Sequence, residues 1–120
     1  MTLVMQNLFD GIPEVLNNEL FQTLAERDNI RIERIVSDGQ ATADGEWYDQ
    51  AHDEWVILLS GSAGLLIDSD STPRSLKPGD HVMIPAGCRH RVAWTDPDKK
   101  TVWLAVHFGG SATEQPSNQL

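Results

Sequence analysis

Residues Trp47 to Gly61 read Trp-Tyr-Asp-Gln-Ala-His-Asp-Glu-Trp-Val-Ile-Leu-Leu-Ser-Gly, and the rest of the chain is best understood from this stretch. It places polar side chains that can bind a metal directly before an apolar strand ending at a glycine: Gln50, His52 and Glu54. A second stretch, Gly79 to Trp94, contains a Pro-Ala-Gly turn followed closely by His90. The two stretches predict segments that face each other inside a small β-barrel and together form one site.

Composition limits the class of protein. The 120 residues suffice for one domain with a single core, and 40% hydrophobic residues is too high a share for a disordered chain. A formal net charge of −9 argues against nucleic acid, which needs clustered Lys and Arg. We expect no membrane partner, because no apolar stretch approaches the roughly 20 residues that span a bilayer. A single cysteine, Cys88, and a start without signal-peptide features favour a cytoplasmic location.

Turn residues divide the chain into short segments with almost no helical period. Gly, Pro and Asp separate seven or eight apolar or alternating stretches, which predicts an all-β sandwich or barrel. We assign residues 1–108 to one barrel domain with an N-terminal arm. Residues 109–120 are mostly small or polar and predict a disordered tail.

Alternation along strands predicts which side chains share a face. One face of the strand after Asp53 carries Glu54, Val56 and Leu58, and the other carries Trp55, Ile57 and Leu59. The same count groups His90, Val92 and Trp94 on one side of their strand. A second apolar face on the strand of Trp55 predicts a homodimer, since 120 residues offer little else to cover it.

Two spacings resemble the motifs of the cupin family. Glu54, six residues and Gly61 are similar to the end of cupin motif 1, G-x5-H-x-H-x3/4-E-x6-G. Most of cupin motif 2, G-x5-P-x-G-x2-H-x3-N, is reproduced further along the chain. The matching residues are Gly79, then after five residues Pro85-Ala86-Gly87, and after two more His90. The resemblance covers nearly the whole chain. It implies a double-stranded β-helix, a jelly-roll barrel that holds a metal in its mouth.

Motif 1 departs from the family at its histidines. A three-residue gap before Glu54 places Tyr48 and Gln50 at the two histidine positions, and a four-residue gap places Trp47 and Asp49 there. His52 lies where many cupins have an additional histidine that is not a ligand. Trp94 replaces the final Asn of motif 2. Of the usual three histidines and one glutamate, the resemblance carries over Glu54 and His90.

Two interpretations of the site remain open. In the first, a divalent metal (Zn, Mn, Fe, Ni or Cu) is held by Glu54, His90 and either Gln50 or His52, for an enzyme of unknown reaction acting on a small polar metabolite. In the second, the barrel is a non-enzymatic ligand-binding or dimerising module with a relic site. In that case the side chains of Tyr48, Gln50, Glu54 and His90 hydrogen-bond only one another and a small ligand. The pKa of Glu54 should then be raised, because an apolar barrel disfavours its charged form.

Three further side chains are candidates for contacting a small-molecule ligand. They are Tyr48, Trp94 and His107. His107 either lines the barrel mouth together with Trp103 or lies on the outer face with its hydrogen bonds satisfied there. We favour the outer face.

Overall fold

Eight β-strands follow one another along the computed structural model, which describes residues 2–109. The strands are β1 (Leu20–Arg27), β2 (Ile30–Ser37), β3 (Asp53–Ser60), β4 (Ala63–Ile67), β5 (Arg74–Leu76), β6 (His81–Ile84), β7 (His90–Thr95) and β8 (Thr101–Phe108). Residues 2–109 contain no helix, and hence none long and apolar enough to cross a membrane. The all-β prediction is confirmed. Apart from Gly109, the predicted disordered tail lies outside the described residues.

The strands form two antiparallel sheets. The larger sheet has the order β1-β2-β8-β3-β6, and the smaller sheet has the order β5-β4-β7. The apolar core lies between the sheets. On the larger sheet, Ile35, Trp103 and Leu58 are paired in a row across three strands and are fully buried. The smaller sheet contributes Ala63, Leu65, Leu76 and Val92 to the same core.

A β-bulge in β7 changes which side chains of that strand face the core. Val92 pairs with Leu65 and Trp94 with the adjacent Gly64, so one extra residue is inserted in β7. Thr95 is consequently buried, whereas Trp94 is 38% exposed. The prediction that Trp94 shares a face with His90 and Val92 is therefore wrong. Its indole lies over Gly64, where an added Cβ would collide with the indole nitrogen.

The outer face of the larger sheet is apolar and only partly covered. Its partly buried or exposed side chains include Trp55, Ile57, Leu59, Met83, Leu104, Val106 and Phe108. The N-terminal arm is held at the neighbouring edge by Arg34, whose Nη1 donates to the carbonyls of Leu8 and Asp10 at 2.8 and 2.7 Å. The second apolar face anticipated on β3 is thus present.

Candidate functional site in the barrel

One end of the larger sheet's inner face is polar. Arg31 on β2, His107 on β8 and Glu54 on β3 are paired in one row across three neighbouring strands. Paired residues of antiparallel strands project to the same side of the sheet. All three side chains therefore enter the barrel, and all three residues are buried. The outer-face position favoured for His107 is wrong, because its parity on β8 matches that of the core residue Trp103.

Glu54 is a carboxyl group enclosed by the protein. It is fully buried, and burial is the main reason that its pKa rises to about 8. A contact with the Gln50 amide partly offsets that rise in the pKa, while the nearby Glu33 raises it further and Arg31 lowers it. Within residues 2–109, neither carboxylate oxygen has a partner of full hydrogen-bond geometry, so the Gln50 contact is a weak one. Glu54 is thus protonated at neutral pH until a cation or donor approaches it.

His90 approaches from the smaller sheet, and the loop before β7 sets its ring. The Nδ1 atom lies 2.9 Å from the carbonyl oxygen of Cys88, and because a carbonyl only accepts, Nδ1 carries the proton. In the neutral form of this tautomer the lone pair is on Nε2, as in a histidine that binds a metal through Nε2. His90 is fully buried, as the prediction of an inward histidine requires.

Backbone hydrogen bonds bring the two halves of the site together. The amide and carbonyl of Tyr48 pair with those of His90 at 2.8 and 3.0 Å. The Gly87 amide donates to the Gln50 carbonyl at 2.8 Å, and the Ala86 amide donates to Asp53 Oδ1 at 2.8 Å. The Pro-Ala-Gly turn is thereby attached to the segment before β3. These contacts place the first stretch beside the second, as expected from the sequence.

Tyr48 is a half-buried neighbour of His90. The two ring centroids are 5.8 Å apart. Burial raises the pKa of the Tyr48 phenol, with a hydrogen bond to Thr42 acting in the opposite direction. The phenol therefore stays protonated at neutral pH and can donate a hydrogen bond. Its role as a ligand contact stays a prediction.

A chain of buried polar groups extends from His52 to Arg31. His52 Nε2 lies 3.0 Å from His107 Nδ1, and His107 Nε2 lies 3.3 Å from Glu33 Oε1. The other oxygen of Glu33 is 3.6 Å from Arg31 Nη1. Because the Glu33 carboxylate accepts, His107 donates through Nε2, and in a neutral His107 ring Nδ1 is then the acceptor toward His52. The structure thus joins His52 to His107, whereas it joins Gln50 to Glu54.

The donor types of three buried side chains suit a divalent metal. Glu54 supplies an anionic oxygen when ionised, His90 supplies Nε2, and Gln50 supplies an amide oxygen. Across residues 2–109, no group of three or more His, Cys, Asp and Glu side chains is arranged to hold a metal ion. A metal at Glu54 and His90 therefore requires Gln50 as a third protein donor, or a rotation of His52 away from His107.

Arg31 and Glu33 are site residues that the sequence did not reveal. Their segment, Ile30 to Val36, alternates polar and apolar residues, and alternation normally directs the charged side chains to solvent. Here both charged residues are nearly completely buried. The available signal was parity: Arg31 and Glu33 are on the same face as Ile35, whereas Arg34 is on the other face with Val36.

Comparison with known proteins establishes the family. The cupin domain family matches residues 35–107, and the chain belongs to that family. A crystal structure from Ralstonia eutropha JMP134, of a protein provisionally described as a mannose-6-phosphate isomerase, is 51% identical with a TM-score of 0.87. The match covers 90% of this chain and 100% of that chain. An RmlC-like cupin from Methanocaldococcus jannaschii with a double-stranded β-helix fold has a TM-score of 0.64 at 15% identity, over 82% of this chain and 86% of that one. The predicted double-stranded β-helix is confirmed.

A curated relative carries a different name. Acireductone dioxygenase from Leishmania infantum is 31% identical over 89% of this chain. The chain spans only about 30% of the length of that relative. The similar proteins therefore bear the names of two different reactions on one barrel, and the choice between reactions depends on the site.

Proposed function

We propose that this chain is a small cupin enzyme that binds one divalent metal between Glu54, His90 and Gln50 and acts on a small polar metabolite in the barrel. One observation carries the proposal: two fully buried residues are a carboxyl group without a well-formed hydrogen bond, Glu54, and a histidine whose Nδ1 is directed at a backbone carbonyl, His90. Buried carboxyl groups are normally satisfied by donors, and a cation would replace them here. A metal held by these residues would supply Lewis-acid polarisation of a substrate oxygen.

The residues of this chain would prepare the interior for such a substrate. Glu54 favours its protonated form at neutral pH because its pKa is raised to about 8, and it would lose that proton on binding a cation, which stabilises the carboxylate. The Cys88 carbonyl fixes the ring of His90, and the buried groups on both sheets exclude bulk water. Tyr48 offers a hydroxyl group at the edge of the site.

Elemental analysis tests the metal site. Protein purified without chelators or a metal-affinity step should contain about one equivalent of Mn, Fe, Ni, Cu or Zn. Glu54→Ala and His90→Ala should each lose it, whereas His81→Ala should retain it, because His81 is exposed on the other face. A chain that stays metal-free after incubation with Mn, Fe, Ni and Zn would contradict the proposal.

The second candidate function is a ligand-binding or dimerising module with a relic site. The weak Gln50 contact and the raised pKa of Glu54 favour it, as does the lack of a group of three His, Cys, Asp or Glu ligands within residues 2–109. It predicts that Glu54→Gln leaves ligand binding intact. The enzyme proposal predicts that the same change abolishes both metal binding and turnover.

We further propose a homodimer formed by the outer face of the larger sheet, in the cytoplasm. Support for the dimer comes from the half-covered apolar side chains of β3 and β8, such as Ile57 and Val106. The single cysteine supports a reducing compartment.

A further inference from the structure

Arg31 is a buried cation with one nitrogen that has no hydrogen-bond partner among the described residues. Its side chain is only 4% exposed, and its ion pair with Glu33 is 3.6 Å long, beyond a normal hydrogen bond. Within the described part of the chain, Nη2 has no hydrogen-bond partner. Guanidinium groups carry five N–H donors, and buried ones are ordinarily matched by acceptors. An acceptor for Nη2 therefore has to come from outside residues 2–109.

The nearby carboxylate of Glu33 cannot satisfy Arg31 alone. Its Oε1 already accepts from His107 Nε2, and only Oε2 is directed at the guanidinium. Part of the positive charge of Arg31 is therefore not compensated inside the barrel. The edge of the guanidinium that carries Nη2 has no acceptor among the described residues. A planar carboxylate matches such an edge, because its two oxygens accept parallel N–H bonds.

The position of Arg31 connects this edge to the candidate metal site. Arg31 and Glu54 are paired to opposite sides of His107, on strands two apart in the larger sheet. Neighbouring strands are about 4.8 Å apart, so the two Cα atoms are separated by about 10 Å, and the buried His107 lies on the strand between them. An acid of a few carbon atoms is long enough to reach from Arg31 past His107 toward Glu54.

We propose that Arg31 forms a subsite inside the barrel for the carboxylate of a small oxo or hydroxy acid, with the other oxygens of the acid directed at Glu54 and His90. The inference rests on the proposed function, since it names the class of metabolite that the same interior takes. Within residues 2–109, Arg31 is the one buried Arg or Lys on the inner faces, because buried Arg34 bonds to Gln22 and the N-terminal arm.

The charge balance favours a carboxylate over a phosphate. A phosphate monoester carries nearly two negative charges at neutral pH. At the subsite itself, Arg31 is a single cation that already shares its charge with Glu33. Arg31 thus matches the charge of a singly charged acid better than that of a sugar phosphate.

Calorimetric titration of the purified full chain with pyruvate tests the subsite. Hydroxyacetone serves as the neutral analogue, and inorganic phosphate and mannose 6-phosphate serve as the doubly charged comparators. Pyruvate should bind to the wild-type protein, and the other three should bind at least roughly tenfold more weakly. Arg31→Met should weaken pyruvate binding by roughly ten- to a hundredfold, as loss of a charge-assisted hydrogen bond implies.

Arg34→Met is the matched control, because it removes an equally buried arginine from the same strand but from the other face. It should leave pyruvate binding unchanged. If Arg31→Met fails to fold, Arg31→Lys keeps the charge without the planar donor edge and should weaken binding several-fold. Equal pyruvate affinity in the wild type and the Arg31 variants overturns the proposal, as does tighter binding of mannose 6-phosphate.

Metal analysis of the same samples separates the two hypotheses. Stoichiometric metal without pyruvate binding overturns the Arg31 subsite and leaves the metal site standing. Arg31-dependent pyruvate binding by a metal-free protein supports the subsite and overturns the metal-dependent function.

Discussion

Glu54 of β3 lies directly opposite His107 of β8, and both side chains are fully buried within the barrel. The pairing joins two groups of polar residues that are separate in the sequence. On one side, Glu54 contacts Gln50, whose backbone carbonyl accepts a hydrogen bond from Gly87 in the turn before His90; on the other, His107 links His52 to Glu33. An interior with this many ionisable groups is costly to fold, which is typical of a site retained for function.

The stability of the metal-free protein should fall as pH rises, because of Glu54. Its pKa is about 8 in the folded protein, compared with the ordinary value of 4.5 that we assign to the unfolded chain. Between these two pH values the folded state therefore binds more protons than the unfolded state. Stability is then lost with rising pH across that window. At pH 9 the free energy of unfolding should be lower than at pH 5 by on the order of 3 to 5 kcal/mol.

Urea unfolding in the presence of a chelator at pH 5, 7 and 9 measures this loss. Glu54→Gln retains the shape of the side chain without a titrating proton and should show a much flatter pH dependence. Parallel stability curves for the wild type and Glu54→Gln would contradict the raised pKa of Glu54.

Removing Glu33 should destabilise the protein more than removing both members of its ion pair. Glu33→Met leaves Arg31 buried without its anionic partner and His107 without its acceptor, at a cost of about 3 to 5 kcal/mol. The double variant Arg31→Met/Glu33→Met removes the uncompensated charge and should recover part of that loss. Denaturant unfolding of both single variants and the double variant measures the coupling, and strict additivity would show that the pair does not interact.

Two glycines at motif positions should respond differently to alanine. Gly61 and Gly79 have φ values of +88° and +94°, so both substitutions introduce backbone strain of about 1 to 2 kcal/mol. At Gly61 the new Cβ would also lie 2.7 Å from the Thr101 Cα and 2.8 Å from the Lys100 carbonyl oxygen. At Gly79 no atom lies within 4 Å.

Gly61→Ala should therefore cost at least about 2 kcal/mol more than Gly79→Ala, since the atoms it meets belong to the backbone. Thermal or urea unfolding of the two variants gives the comparison. Equal losses would show that the approach of β8 to Gly61 is looser than the structure indicates.

A charge on the outer face of the larger sheet should disrupt the proposed dimer. Ile57 is half-buried on that face, and a lysine there would place an unpaired charge within an apolar interface. Sedimentation at micromolar concentration should show a dimer for the wild type and a monomer for Ile57→Lys. Ser75→Lys, on an exposed position of the smaller sheet, should remain dimeric. A monomeric wild type would exclude the dimer.

Much of the fold followed from local patterns. Turn residues bounded the strands, and the spacing from Gly79 through Pro85 to His90 predicted the turn that attaches to the segment before β3. The inward side chains of β3 also followed from parity, because that strand is regular from Glu54 through Val56 to Leu58. Parity failed in β7, where an inserted residue turns Trp94 outward.

By itself, the sequence determined the all-β barrel, the apolar row of β3 and the inward direction of Glu54 and His90, because period-two alternation and glycine or proline turns are local properties of a chain. Only the tertiary structure decided that His52 bonds to His107 instead of joining Glu54, and that Arg31 and Glu33 point inward. Those outcomes depend on which strands become neighbours and on their register. β2 and β8 are separated by more than sixty residues in the chain, and their pairing places Arg31 beside His107.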